Sequence, residues 1–205
     1  MSVVYCLVTK NAGILPGSEP MDQPVFDAAA FVAFDLRAGM ISSVGKESLA
    51  LVPLDVIETL VPGSRLDEAA RRWGSIHGEH LALVVADAGD SLGVKVLADH
   101  VGGTIAALGM GRVSVEVHGD ALMFRAHDKG GQDGSDGRSA LLCGFLAGFV
   151  SALTAESFDV LLIEQTAEST LFWAGNPEAV KRVFRWIEDG IEPLAAIGRL
   201  SKGSI

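Results

Sequence analysis

Cysteine is scarce in this chain: Cys6 and Cys143 are the only two in 205 residues. Two cysteines build neither a disulfide framework nor a four-cysteine zinc site. Positive charge is also short, with 16 Lys and Arg against 26 Asp and Glu and a formal net charge of −10. A surface this acidic repels phosphate backbones and anionic lipid, so no nucleic-acid partner and no peripheral membrane role is expected. The apolar stretch LLCGFLAGFVSAL (141–153) has 13 residues, closed in by Arg138, Ser139, Thr154 and Glu156. A bilayer span takes about 20, so no membrane span is expected. The opening MSVVYCLVTKN shows no basic region ahead of an apolar run and no small-residue cleavage pattern, and cytoplasmic residence is the expectation. No internal repeat is visible.

What is present suits a globular chain. Hydrophobic residues make up 49% and charged residues 20%, and this length holds one domain, or one domain with an appendage. Residues 1–62 read as a mixed N-terminal extension. VVYCLV (3–8) is a short β-type run, NAGILPGSEP (11–20) a loop, and FVAFDLRAGMI and SLALVP two strands. LDVIETL (54–60) reads as a helix ended by Pro62-Gly63.

Residues 63–175 form the main domain. Ser64 is placed to cap a helix in which Leu66, Ala69, Ala70, Trp73, Ile76, His77 and His80 share one side. Asp87 to Asp90 break it, and a second helix runs from Ser91 to Leu108. VSVEV (113–117) and ALMFRAH (121–127) alternate apolar and polar residues, as in a hairpin with one buried face. KGGQDGSDGR (129–138) is a loop, Ser139 caps the helix of 141–153, and DVLLIEQTA and STLFWA are two more strands. Residues 176–205 read as one closing helix, capped by Asn176 with Pro177 at its first position, and a frayed tail.

ALGMGRVSVEVHGDALMFRAHD (107–128) followed by LLCGFLAGFVSAL (141–153) resembles the 4-vinyl-reductase domain family, in the structural group of the small subunits of the TRAPP vesicle-tethering complex. The glycine turn into a strand matches at Leu108-Gly109-Met110-Gly111, with Met110 in place of the aromatic often found there. Cys143, Gly148 and Ser151 match the family's cysteine, glycine and serine. Over residues 31–175 the resemblance implies an α+β fold, a small twisted antiparallel sheet of about four strands packed against helices. It also implies a homodimer or higher homo-oligomer that binds a small hydrophobic molecule or regulates assembly rather than catalysing. In the phenol-sensing branch a zinc ion is held by the matching cysteine, a glutamate and two later cysteines. Cys143 matches, Glu164 is the candidate for the glutamate, and no cysteine follows. Neither zinc nor that branch's aromatic sensing is carried over, and no cofactor is expected. GMGRVSVEV with its loop and amphipathic helix also resembles the accessory D subunit of bacterial cellulose synthase complexes, an assembly protein.

Three constellations invite chemistry. Gly89-Asp90-Ser91-Leu92-Gly93 fits a serine-hydrolase elbow if residues 81–85 are a strand, with His100, His118 or His127 as base. The preferred reading makes Asp90 or Ser91 a helix cap. His77-Gly78-Glu79-His80 lacks the spacing and third ligand of a zinc site. Asp128, Asp133 and Asp136 lack the alternation of a calcium loop. The helix of 141–153 carries more information. Leu142, Phe145, Leu146, Phe149 and Leu153 make a large side that must be buried. Gly144, Ala147, Gly148, Ser151 and Ala155 make a small side that lets another helix, the sheet or a ligand come close. The expected ligand-binding residues are Cys143, Ala147, Gly148, Ser151, Trp73 and His77, with no catalytic residue and no metal ligand.

Overall fold

The computed structural model describes residues 32–35, 40–43, 48–49, 63–87, 93–118, 121–127 and 136–202. The strand at 3–8, Cys6, the loop at 11–20, the helix at 54–60, Ser91, Asp128 and Asp133 lie outside the described residues. Strands β1 (Val32–Asp35), β2 (Met40–Ser43) and β3 (Ser48–Leu49) form a small antiparallel sheet in that order. Helices α1 (Gly63–Asp87) and α2 (Val94–Ala107) follow. Then come β4 (Arg112–His118), β5 (Ala121–His127), α3 (Asp136–Thr154), β6 (Asp159–Gln165), β7 (Ser169–Gly175), α4 (Pro177–Glu188) and α5 (Pro193–Lys202).

The alternating runs become an antiparallel sheet ordered β4-β5-β7-β6, so the fold is α+β with an open four-stranded sheet. Val113 pairs with Ala126 and Val115 with Phe124. Period-two alternation sends these four to one face, where Phe124 meets Phe172, Phe145 and Phe149 in a core shared with α1, α2 and α3. The expectation of a single buried face is corrected here. Met123, Leu171 and Trp173 point the other way and are buried in a second core with Val183 of α4 and Ile197 of α5. The sheet therefore lies between two helical layers.

That second layer also corrects the reading of one closing helix, while residues 203–205 of the expected tail lie outside the described residues. Asn176 does cap α4, its side chain accepting from the Ala179 N–H at 2.8 Å, and Pro177 starts the helix. The chain then turns at Gly190, with φ +86°. The Gly190 and Ile191 amides donate to the Ile187 and Trp186 carbonyls at 2.9 Å, the double bond that ends a helix through a left-handed residue. Pro193 opens α5, which runs to Lys202. The same closure ends α2: Gly109 (φ +75°) and Met110 donate to Ala106 and Ile105 at 3.0 Å. Met110 tucks into the core there, which is the hydrophobic contact this closure usually carries. The LGMG turn thus exists to turn a helix into β4.

Other helix starts shift. α1 begins at Gly63, α2 at Val94 with Gly93 as its cap, and α3 at Asp136, which puts Ser139 inside the helix rather than at its cap.

Candidate functional site

The small side of α3 is filled by α1. A Cβ on Gly144 or Gly148 would strike the Asp67 or Arg71 carbonyl oxygen, and one on Gly74 or Gly78 the Phe145 or Phe149 carbonyl oxygen. Partners advance in the same direction on both helices, so α1 and α3 run parallel and touch backbone to backbone. The repeat Gly74-xxx-Gly78 in α1, matching Gly144-xxx-Gly148 in α3, was the sequence signal for this seam. Alone among the described residues, α3 is long and apolar enough to cross a membrane. It is a core helix: α1, β6 and β7 pack against it.

Beside the seam, rings gather. Trp73 and His77, one turn apart on α1, lie with centroids 6.3 Å apart. Phe145 stands edge-on to Trp73 at 5.7 Å and lies 5.9 Å from His77. Phe149 stacks on Phe145 at 6.1 Å and 29°. His77 is 3% exposed. Burial, with the neighbouring His80 adding to it, holds the imidazole at about 4 instead of 6.5, because a low-dielectric site disfavours the charged form. At neutral pH this is a polar but uncharged group among aromatic faces.

The six expected ligand residues thus divide. Trp73 and His77 come together, and Phe145 and Phe149, read from the sequence as core alone, complete their cluster. Ala147 is wholly buried and Gly148 is pressed on Arg71. The Ser151 hydroxyl donates to the Ala147 carbonyl at 2.7 Å and accepts from the Phe158 N–H at 2.9 Å, tying the end of α3 to the start of β6. Arg71 reinforces that junction, donating to the Phe158 carbonyl at 3.0 Å and the Asp159 carboxylate at 2.8 Å. Cys143 is half-buried. Burial pushes its thiol from 9.0 up to about 12, with Asp67 adding and Arg71 opposing, so it is not a ready nucleophile.

The zinc of the resembled branch does not fit this donor set. Glu164 is exposed on β6, and among the described residues no three His, Cys, Asp or Glu side chains are placed to hold a metal. Residues 81–85 lie in α1, so the strand that a hydrolase elbow needs before Ser91 is replaced by helix.

A polar strip crosses the outer face of β4 and β5. Ser114 Oγ and His127 Nε2 are 3.0 Å apart, and Glu116 accepts from Arg125 Nη2 at 3.1 Å. Arg125 holds the Glu116 carboxyl at about 2, well below its ordinary 4.5. Charged side chains along a sheet edge discourage pairing with another sheet, and this strip is explained by that role.

Two helical layers around an open antiparallel sheet, with a buried ring cluster at a helix seam, define a small α+β domain whose candidate site is apolar and aromatic. No protein-family model and no curated protein matches the chain. Among solved structures it is similar to the phenol-responsive sensory domain of the transcription activator PoxR, crystallised with phenol. The TM-score is 0.50 at 16% identity, covering 83% of this chain and 93% of that one. At such identity the likeness is one of fold.

Proposed function

We propose that this chain is a non-catalytic, small-molecule-binding regulatory module of the 4-vinyl-reductase type, cytoplasmic and homodimeric, whose ligand lies against Trp73, His77, Phe145 and Phe149. The observation that carries the reading is His77: a buried, neutral imidazole beside the rings of Trp73 and Phe145, with Phe149 stacked on Phe145 behind them. Binding sites for small molecules are mostly apolar, with a few polar groups to orient the ligand, and this cluster has that make-up. The fold shared with a phenol-responsive domain supports the same reading.

Calorimetric titration with phenol tests it. A saturable heat that disappears in His77→Ala and Phe145→Ala, each checked for a native circular dichroism spectrum, is the expected outcome. Absence of binding by phenol and by other small uncharged aromatics, up to millimolar concentration, would remove the proposal. Native mass spectrometry of the same sample reads the homodimer, and a monomer at micromolar concentration would remove that part alone.

A further inference from the structure

We infer that one edge of α4 packs antiparallel against the same edge of a second copy of this chain, with Phe184 at the two-fold centre and Lys181 of each copy facing Glu188 of the other. This rests on the homodimer part of the reading above, not on its ligand part, and names the surface.

The first support is an apolar seam. In α4, Pro177, Val180, Phe184 and Ile187 recur at steps of three and four, the spacing that lines one stripe of a helix and receives a second helix laid along it. Val180 and Ile187 are half-buried against the core beneath α4. Phe184, between them on the stripe, is 49% exposed. A single exposed apolar side chain is ordinary. Leu83 on α1 is such a case, 66% exposed and three or four residues from Glu79, His80 and Ala86. Phe184 differs because its apolar stripe continues on both sides of it.

The second support is charge. Lys181 and Glu188 are both exposed and lie seven residues apart, so two helical turns bring them to the same flank of the stripe. When two such helices run antiparallel about Phe184, equivalent flanks meet, and Lys181 comes opposite Glu188 at both ends of the contact. Within its own helix Lys181 holds Glu178 at 2.9 Å, with the two side chains 64% and 78% exposed. A pair this open is weak, and the ammonium can share its charge with a second carboxylate. A formal charge of −10 makes copies of this chain repel one another. α4 carries Lys181, Arg182 and Arg185 against Glu178 and Glu188, so two copies meet here with less repulsion than the whole-chain charge imposes.

Sedimentation velocity of the whole chain over a dilution series reaching down to micromolar concentration tests this, with a native circular dichroism spectrum required of each variant. Phe184→Glu is expected to weaken dimerisation at least about tenfold, since each copy loses a buried ring and gains a carboxylate near Glu188. Lys181→Glu and Glu188→Lys are each expected to weaken it about threefold or more. Combining the two exchanges in one chain is expected to restore it to within about twofold of wild type, as coupled neighbours do. Leu83→Glu is expected to leave it unchanged. A dimer that survives Phe184→Glu, a double exchange that restores nothing, or a dimer split by Leu83→Glu overturns the inference and leaves the homodimer reading standing. A wild type that is monomeric throughout the series removes the homodimer reading itself, and the surface with it.

Discussion

Gly148 of α3 lies directly against the carbonyl of Arg71 in α1, which fills the space a Cβ would need. Because the obstacle is backbone, it cannot swing aside as a side chain would. Gly148→Ala and Gly74→Ala are each expected to cost about 1–3 kcal/mol or more, the usual range for overpacking a closed site. Gly198 in α5 has open space around its missing Cβ. Gly198→Ala should therefore raise stability, by up to about 1 kcal/mol. Urea denaturation of the three variants measures both signs together.

Acid should weaken the fold through His77. In the folded chain its imidazole titrates at about 4, against 6.5 when unperturbed. Between those values the unfolded chain binds a proton that the folded one does not, so stability rises with pH. The contribution is complete above pH 6.5, shrinks as pH falls, and is gone below 4, a loss of about 3 kcal/mol. His77→Phe removes that slope. Equal pH dependence of the midpoints of wild type and variant between pH 4 and 7 would contradict this account. Glu116 acts in the same direction at lower pH, between 4.5 and 2.

Ala155 follows the last turn of α3 with φ +55°. An L-residue pays about 1–2 kcal/mol for that left-handed conformation, and glycine does not. Ala155→Gly is expected to gain about 1 kcal/mol once the extra freedom of the unfolded glycine is deducted. A lowered thermal midpoint would count against it.

Ser151→Ala separates packing from binding. Its hydroxyl donates to the Ala147 carbonyl and accepts from the Phe158 N–H, and losing it leaves a partly buried amide without its acceptor. A cost of about 1–2 kcal/mol is expected, with phenol affinity unchanged. A large loss of affinity in a folded Ser151→Ala protein would return this residue to the binding site.

Much of the sheet was legible, because alternation in VSVEV and ALMFRAH is a local signal tied to one strand period. The Asn176 cap and Pro177 were equally local. What failed was set by distant partners. Met123 reads as an outward residue of a half-buried strand, and only the return of α4 and α5 across the sheet buries it. Ser139 reads as a cap, yet the helix begins three residues earlier at Asp136. Half of the candidate site was readable, since Trp73 and His77 share a helical face. Phe145 and Phe149 looked like plain core until α1 was laid along α3.

The parallel course of α1 and α3 sets a problem for the chain as it folds. Arg71 and Phe158, which lock this seam to β6, are 87 residues apart in sequence. Everything between them, α2 and the β4–β5 hairpin included, must span the return journey before the two helices can meet. Contacts of such long range pay their loop-closure entropy before they reward it. The helical hairpin of α4 and α5, whose contacts are local, is free to form early, whereas the aromatic cluster becomes complete only when α1 and α3, with α2 and the β4–β5 hairpin between them, have met.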